Sequence, residues 1–231
     1  MANCKPVPTP VDTKPKVSTN DGELLSVATF YHSIAGVLQY LTLTWPDIAY
    51  VVNQACLHMH TPRDAHWNLI KQVLLYLRGT MRGTITDNIR VSASSSCDLT
   101  VYSDIDWAGC PDTRRSTSGY CIFLGNTLVS WSSKRQTTVS RSSAEAEYRA
   151  VANMAAGCCW LRSLLRELYV PVDKAMVIYC DNELAVYLSE NPVHHWKTKH
   201  VSLIYISYAK RFSWGTCVSF RFRLGSNLQI S

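Results

Sequence analysis

Two carboxylates close the stretch LTVYSDIDWAG, residues 99–109, where apolar and polar residues alternate as in a strand and Asp104 and Asp106 fall on one face near its end. Glu147 sits in RSSAEAEYRAVANMAAGCCWLRSLLREL, whose apolar stripe runs through Ala150, Met154, Cys158, Leu161, Leu165 and Leu168. Because Glu147 lies on that stripe at its N-terminal end, it is expected to point toward whatever the helix packs on rather than to snorkel outward. Asp181 follows the apolar run AMVIYC and precedes NELAVYLSEN, so it reads either as a helix N-cap or as an acid at a strand end. Taken together, Asp104, Glu147 and Asp181 can converge at one end of a sheet. Carboxylates ~4 Å apart repel by roughly 4 kcal/mol per pair at an effective dielectric near ~20, so such a cluster stays ionised only around a divalent cation. All-oxygen ligands favour Mg²⁺ or Mn²⁺, and two such ions about 4 Å apart suit phosphodiester hydrolysis.

Other motifs have plainer explanations. Ser142 as N-cap with Glu145 three residues on is a capping box, and Glu145 also stands four residues before Arg149. Asp104-Ile105-Asp106 read as the metal-binding motif of a sugar-nucleotide transferase would leave Glu147 and Asp181 unexplained. The histidines of HHWKTKH have no cysteine nearby at finger spacing, so a basic loop leading into a helix is the better reading than zinc.

The elements that must position these acids follow from the pattern. LTVYSDI, SGYCIFLG and TLVSWSS read as strands, the last two joined at Gly125-Asn126 by a hairpin turn. A long helix from about 142 to 168 comes next, then the strand KAMVIYC and a short helix. Three antiparallel strands, a long helix and a further strand predict an α/β mixed sheet with helices on its faces. Upstream, TWPDIAYVVNQACLHM and TPRDAHWNLIKQVLLYLRGT predict two amphipathic helices joined by a tight turn. Each has a proline just inside its start, and the second adds Thr61 as N-cap, Asp64 at its third position and Gly79 as its stop. Trp67, Ile70, Leu74 and Leu77 keep helical spacing and belong to a core. Residues 1–22 are rich in Pro, Lys and Thr and read as an extended linker. The polar run at 91–98 marks a boundary between a helical segment, 23–90, and the sheet-forming part, 99–231.

Composition bounds the function. The chain has 231 residues, 47% of them hydrophobic, enough to bury a core, and a formal charge of +6 that permits a polyanionic partner. No acid occurs from Thr113 to Ala144, a span holding Arg114, Arg115, Lys134, Arg135 and Arg141, and none follows Glu190. Basic stretches flanking an acidic site favour a nucleic acid. Nine cysteines without CxxC spacing suit reduced thiols, with no disulfide frame or structural zinc. The start, MANCKPVPTPVDTKPK, lacks an apolar signal region and no later run is long enough for a bilayer, so the expected setting is intracellular, cytoplasmic or nuclear, with no membrane partner.

YSDIDWAGCPDTRRSTSGYCIFLGNTLVSWSSKRQTTVSRSSAEAEYRAV, continuing to CDNELAVYLSENPVHHWKTKH, closely resembles the ribonuclease H domain of copia-type plant retrotransposon polyproteins. The upstream YHSIAGVLQYLTLTWPDIAYVVNQACLHMHTPRDAHWNLIKQVLLYLRGT resembles the end of the reverse transcriptase that precedes it, without that enzyme's catalytic aspartates. The resemblance implies a ribonuclease H-like fold preceded by a small helical segment, catalytic and metal-holding roles for Asp104, Glu147 and Asp181, and two Mg²⁺ or Mn²⁺ ions. It implies hydrolysis of the RNA strand of an RNA/DNA hybrid, with the 2′-hydroxyls distinguishing that strand. Arg114, Arg115, Lys134, Arg135, Lys197 and Lys199 are candidates for phosphate contact; Ser116, Ser118 and Asn182 for hydrogen bonds to the nucleic acid. The sequence departs from the family after TKH, where Ser202, Ile204 and Ile206 stand in place of acids and a histidine. The family's fourth aspartate has no counterpart before the final Gln229 to Ser231. Those departures imply a truncated fragment, otherwise working among upstream parts of a Pol polyprotein, whose ribonuclease activity is impaired or lost. The alternative is a non-catalytic nucleic-acid-binding relic.

Overall fold

The computed structural model describes residues 4–11, 16–81, 91, 97–170, 172, 174–180 and 218–222. The chain forms two compact units. Among the described residues, eight cysteines carry no disulfide. No described helix is long and apolar enough to cross a membrane.

The first unit takes its described residues from 1–89 and from Gly109–Arg114. It contains α1 (Ala28–Leu41), a single 3₁₀ turn (Pro46–Ile48), α2 (Ala49–Cys56) and α3 (Asp64–Met81). Their apolar faces meet in a core that includes Tyr31, Leu38, Ile48, Val52, Ile70 and Val73. Ile70 and Leu77 are buried as their spacing predicts, with Trp67 and Leu74 packed at the edge.

Four local expectations for α3 are corrected by the structure. Thr61 is not the N-cap of α3, and Pro62 lies before the helix, because residues 62 and 63 pair with the chain entering α1. Leu25 donates to the Pro62 carbonyl at 3.0 Å, and Leu24 and Arg63 form a β-bridge. Asp64, placed by the sequence at the third position, instead opens the helix. Its Oδ1 accepts from the Glu23 and Ala65 amides at 3.0 and 2.7 Å. Gly22 makes room for this junction: its φ is +82°, and a Cβ there would sit 1.7 Å from Asp64 Oδ1. Gly79 does not stop α3, which runs on to Met81; glycine ends a helix only where the chain turns left-handed.

The sequence named two helices in this region, and α1 went unrecognised for a physical reason. It buries Tyr31, Ala35 and Leu38 but also exposes Phe30, Val37 and Tyr40, and it contains no charged residue. Apolar residues on both sides erase the stripe that marks an amphipathic helix. Within the same unit, Ser18 and Thr19 grip Asp112. Thr19 donates its amide at 2.9 Å and its hydroxyl at 2.5 Å, and Ser18 Oγ donates as well. Those bonds, Ser18 first, lower the Asp112 carboxyl pKa to about 2.

The second unit takes its described residues from 90–108 and 115–227. Its sheet has the order β3-β2-β1-β4-β5, with β1 (Leu99–Asp106), β2 (Thr117–Leu124), β3 (Thr127–Arg135), β4 (Met176–Cys180) and β5 (Val218–Phe222). β1, β2 and β3 form an antiparallel meander; β4 runs parallel to β1, and β5 parallel to β4. Gly125, at φ +57°, provides the expected turn between β2 and β3. The helix α4 (Ser143–Glu167) lays Val151, Met154, Cys158, Leu161 and Leu165 on a core with Leu99, Val101, Ile122, Met176 and Ile178. Burial pushes the Cys158 thiol up to about 12, as for an inert core group. Leu168 leaves the predicted stripe because Tyr169 turns to φ +59° and ends the helix, so Leu168 is exposed. The architecture is the α/β mixed sheet expected, three antiparallel strands plus parallel ones with a helix packed on it. The strand β5 and its parallel pairing were not singled out in the sequence.

Candidate active site

The strand β1 positions its acid by alternation. Leu99, Val101 and Ser103 are buried on the side that α4 covers, and Asp104, next in line, is exposed on the other side. Its Oδ1 accepts from the Ile105 amide at 2.8 Å. Glu147 arrives from α4 and is fully buried. Cys180, the last residue of β4, donates its thiol to Glu147 Oε1 at 3.1 Å. Parallel pairing sets Tyr102 beside Tyr179. The ends of β1 and β4 therefore lie together, with Glu147 reaching that end from the α4 side and Asp104 standing at it on the opposite face. Asp181, Asn182, Lys197 and Lys199 lie outside the described residues.

The antiparallel registers bring basic residues to the same sheet end. Asp106 is opposite Thr117, which is opposite Arg135; Ile105 is opposite Ser118, which is opposite Lys134; Asp104 is opposite Gly119. Lys134 is exposed and Arg135 half-buried, whereas Arg115 is exposed on the loop before β2. Arg114, exposed at φ +54°, belongs to the first unit. Ser116 is fully buried, contrary to a role in surface contact, because its Oγ accepts from the Ala108 amide at 3.1 Å and holds the turn after β1. Ser118 Oγ accepts from Gln136 Nε2 at 2.9 Å.

Local bonds fix the start of α4 and, through it, Glu147. Ser142 Oγ accepts from the Glu145 amide at 3.1 Å. Glu145 reaches back to the Arg141 amide at 2.9 Å, one residue beyond the cap, and pairs with Arg149 at 2.7 Å. Gln136 was missed by sequence reasoning. It is buried and donates to both Ser118 Oγ and the Ala146 carbonyl at 2.9 Å, while its Oε1 accepts from Ser140 Oγ at 3.2 Å. Its own amide donates to the Ser116 carbonyl at 2.8 Å. One side chain thus ties β2 to the residue preceding Glu147. Nothing in KRQTTVSRSS sets this glutamine apart from its polar neighbours, and Cys180 likewise read only as a reduced thiol.

Asp104 and Glu147 both carry carboxylate oxygens, the donor type that hard divalent cations take, at the same sheet end but from opposite faces. Among the described residues no group of three or more His, Cys, Asp or Glu side chains gathers.

No family model matches the chain. It is 47% identical over 89% of its length to the retrovirus-related Pol polyprotein from transposon RE2 of Arabidopsis thaliana. It is 36% identical over 89% of its length to the corresponding polyprotein from transposon TNT 1-94 of Nicotiana tabacum. It spans only 14% and 16% of those relatives, respectively. Among solved structures, a ribonuclease H1, LC11-RNase H1, crystallised with an RNA/DNA hybrid, aligns with 55% of this chain and 85% of its own at a TM-score of 0.41 and 16% identity. The two sequence matches extend across both units, through the motifs that carry Asp104 and Glu147. This chain belongs to the Pol polyproteins of copia-type retrotransposons and corresponds to one part of such a polyprotein.

Proposed function

We propose that the second unit is a ribonuclease H-type hydrolase that cleaves the RNA strand of an RNA/DNA hybrid. The observation that carries the reading is the gathering at one sheet end of a fully buried glutamate, Glu147, the exposed Asp104, and the basic end of β3, Lys134 and Arg135. A buried carboxylate is costly, and such groups are concentrated at functional sites. Asp104 and Glu147, with Asp181 as the third acid, would hold Mg²⁺ or Mn²⁺. When bound, these ions would ease deprotonation of the attacking water and stabilise the leaving oxygen. Lys134, Arg135 and Arg115 would hold phosphates, which fixes the hybrid in register without reading its sequence. Gln136 would keep Glu147 in place through the start of α4. The rest of a Pol polyprotein is the natural partner of this segment, whose relatives carry it within far longer chains.

The test is incubation of an end-labelled RNA/DNA hybrid with the purified chain in Mg²⁺ and, separately, in Mn²⁺. The expected result is cleavage of the RNA strand alone, reduced at least ~100-fold in Asp104→Asn and in Glu147→Gln and abolished by chelator. Cleavage indifferent to either variant, or persisting in chelator, overturns the reading. A folded chain that binds the hybrid with steep salt dependence yet never cuts it would be a non-catalytic binder.

A further inference from the structure

Among the buried polar groups of the second unit, the Ser103 hydroxyl has no use in the described fold. Ser103 is 8% exposed, and among the described residues its hydroxyl has no hydrogen-bond partner. Such a hydroxyl destabilises a protein, and alanine would fill the position at no such cost. Its surroundings give it a purpose. One residue past the Tyr102–Tyr179 pair, Ser103 and Cys180 follow on the buried side of β1 and β4. Cys180 donates to Glu147 there at 3.1 Å. The unused hydroxyl therefore sits at the sheet end where the buried carboxylate arrives. Mg²⁺ and Mn²⁺ sites keep waters that need outer hydrogen-bond partners, and such partners orient the ligands they reach.

We propose that Ser103 is a positioning residue for the cation held by Glu147, its hydroxyl taking up a hydration water when the ion enters. The inference rests on the hydrolase reading above and adds a residue to it. Ser103 does not touch the reacting phosphate, so its effect is on the affinity and placement of the ion.

The test compares wild type, Ser103→Ala, Ser103→Thr and Glu147→Gln, using Mn²⁺ itself as the probe in isothermal titration calorimetry and urea unfolding of the metal-free protein as the control. Ser103→Ala is expected to weaken Mn²⁺ binding about ten-fold while leaving the metal-free protein as stable as wild type or more so. Ser103→Thr, which keeps the hydroxyl, is expected to retain the affinity. A purely structural serine gives the opposite pattern, stability lost and metal affinity kept, and that result overturns the proposal. So does unchanged Mn²⁺ affinity in Ser103→Ala when Glu147→Gln abolishes binding, which leaves the hydrolase reading standing. Wild type that fails to bind Mn²⁺, or binding untouched by Glu147→Gln, removes both.

Discussion

The two units bury different chemistry. In the first, the core is almost wholly apolar, with helix faces meeting through Tyr31, Ile48, Ile70 and Val73. Its two buried imidazoles, His58 and His66, stack on each other with ring centroids 3.8 Å apart. In the second, a core of similar make-up is interrupted at one end by Glu145, Glu147, Gln136 and Ser116, all buried. Apolar packing needs only shape and area; a buried carboxylate or amide needs named partners at fixed distances. The first unit therefore reads as a packed support, and the second as a support with a site built into one end.

Substitutions can break or sharpen that contrast. Ile70→Ala, in the apolar core of the first unit, is expected to cost about 2–5 kcal/mol, because the cavity adds to the lost transfer energy; urea unfolding measures it. Gln136→Ala should cost about 1–3 kcal/mol by the same measurement, since it strands the buried Ala146 carbonyl and the half-buried Ser118 hydroxyl. It should also reduce hybrid cleavage, which Ile70→Ala should spare at a temperature where the chain is folded. If Gln136→Ala lowers stability without touching activity, the second unit's polar ties serve packing alone. The smallest effect has the opposite sign. Gly36 lies inside α1, and a Cβ added there meets nothing within 4 Å. Gly36→Ala is therefore expected to stabilise the chain by about 1 kcal/mol through helix propensity, seen as a higher melting temperature.

How much of this was legible in the sequence depended on how each residue announces itself. The α4 stripe was legible because burial repeats with the helical period, and the same period placed Glu147 on the buried side. The β2–β3 turn was legible because Gly125 supplies a backbone conformation few residues accept. The start of α3 was misplaced because Thr61, a good cap by type, competes with a tertiary pairing at Pro62 and Arg63 that no local pattern records. Gln136, Cys180 and Ser103 were invisible for a related reason. Each matters through a partner distant in sequence, Ala146 for the first, Glu147 for the second and the strand pairing of β1 with β4 for the third.

The helix α1 also governs how the protein behaves as a colloid. The chain's +6 charge lies elsewhere, since α1 has no charged residue, and Phe30, Val37 and Tyr40 face outward from it. Charge repulsion between molecules is therefore weaker along this face. Added salt screens the repulsion without weakening apolar contact. Self-association through this face is accordingly expected to increase with ionic strength, as light scattering would show.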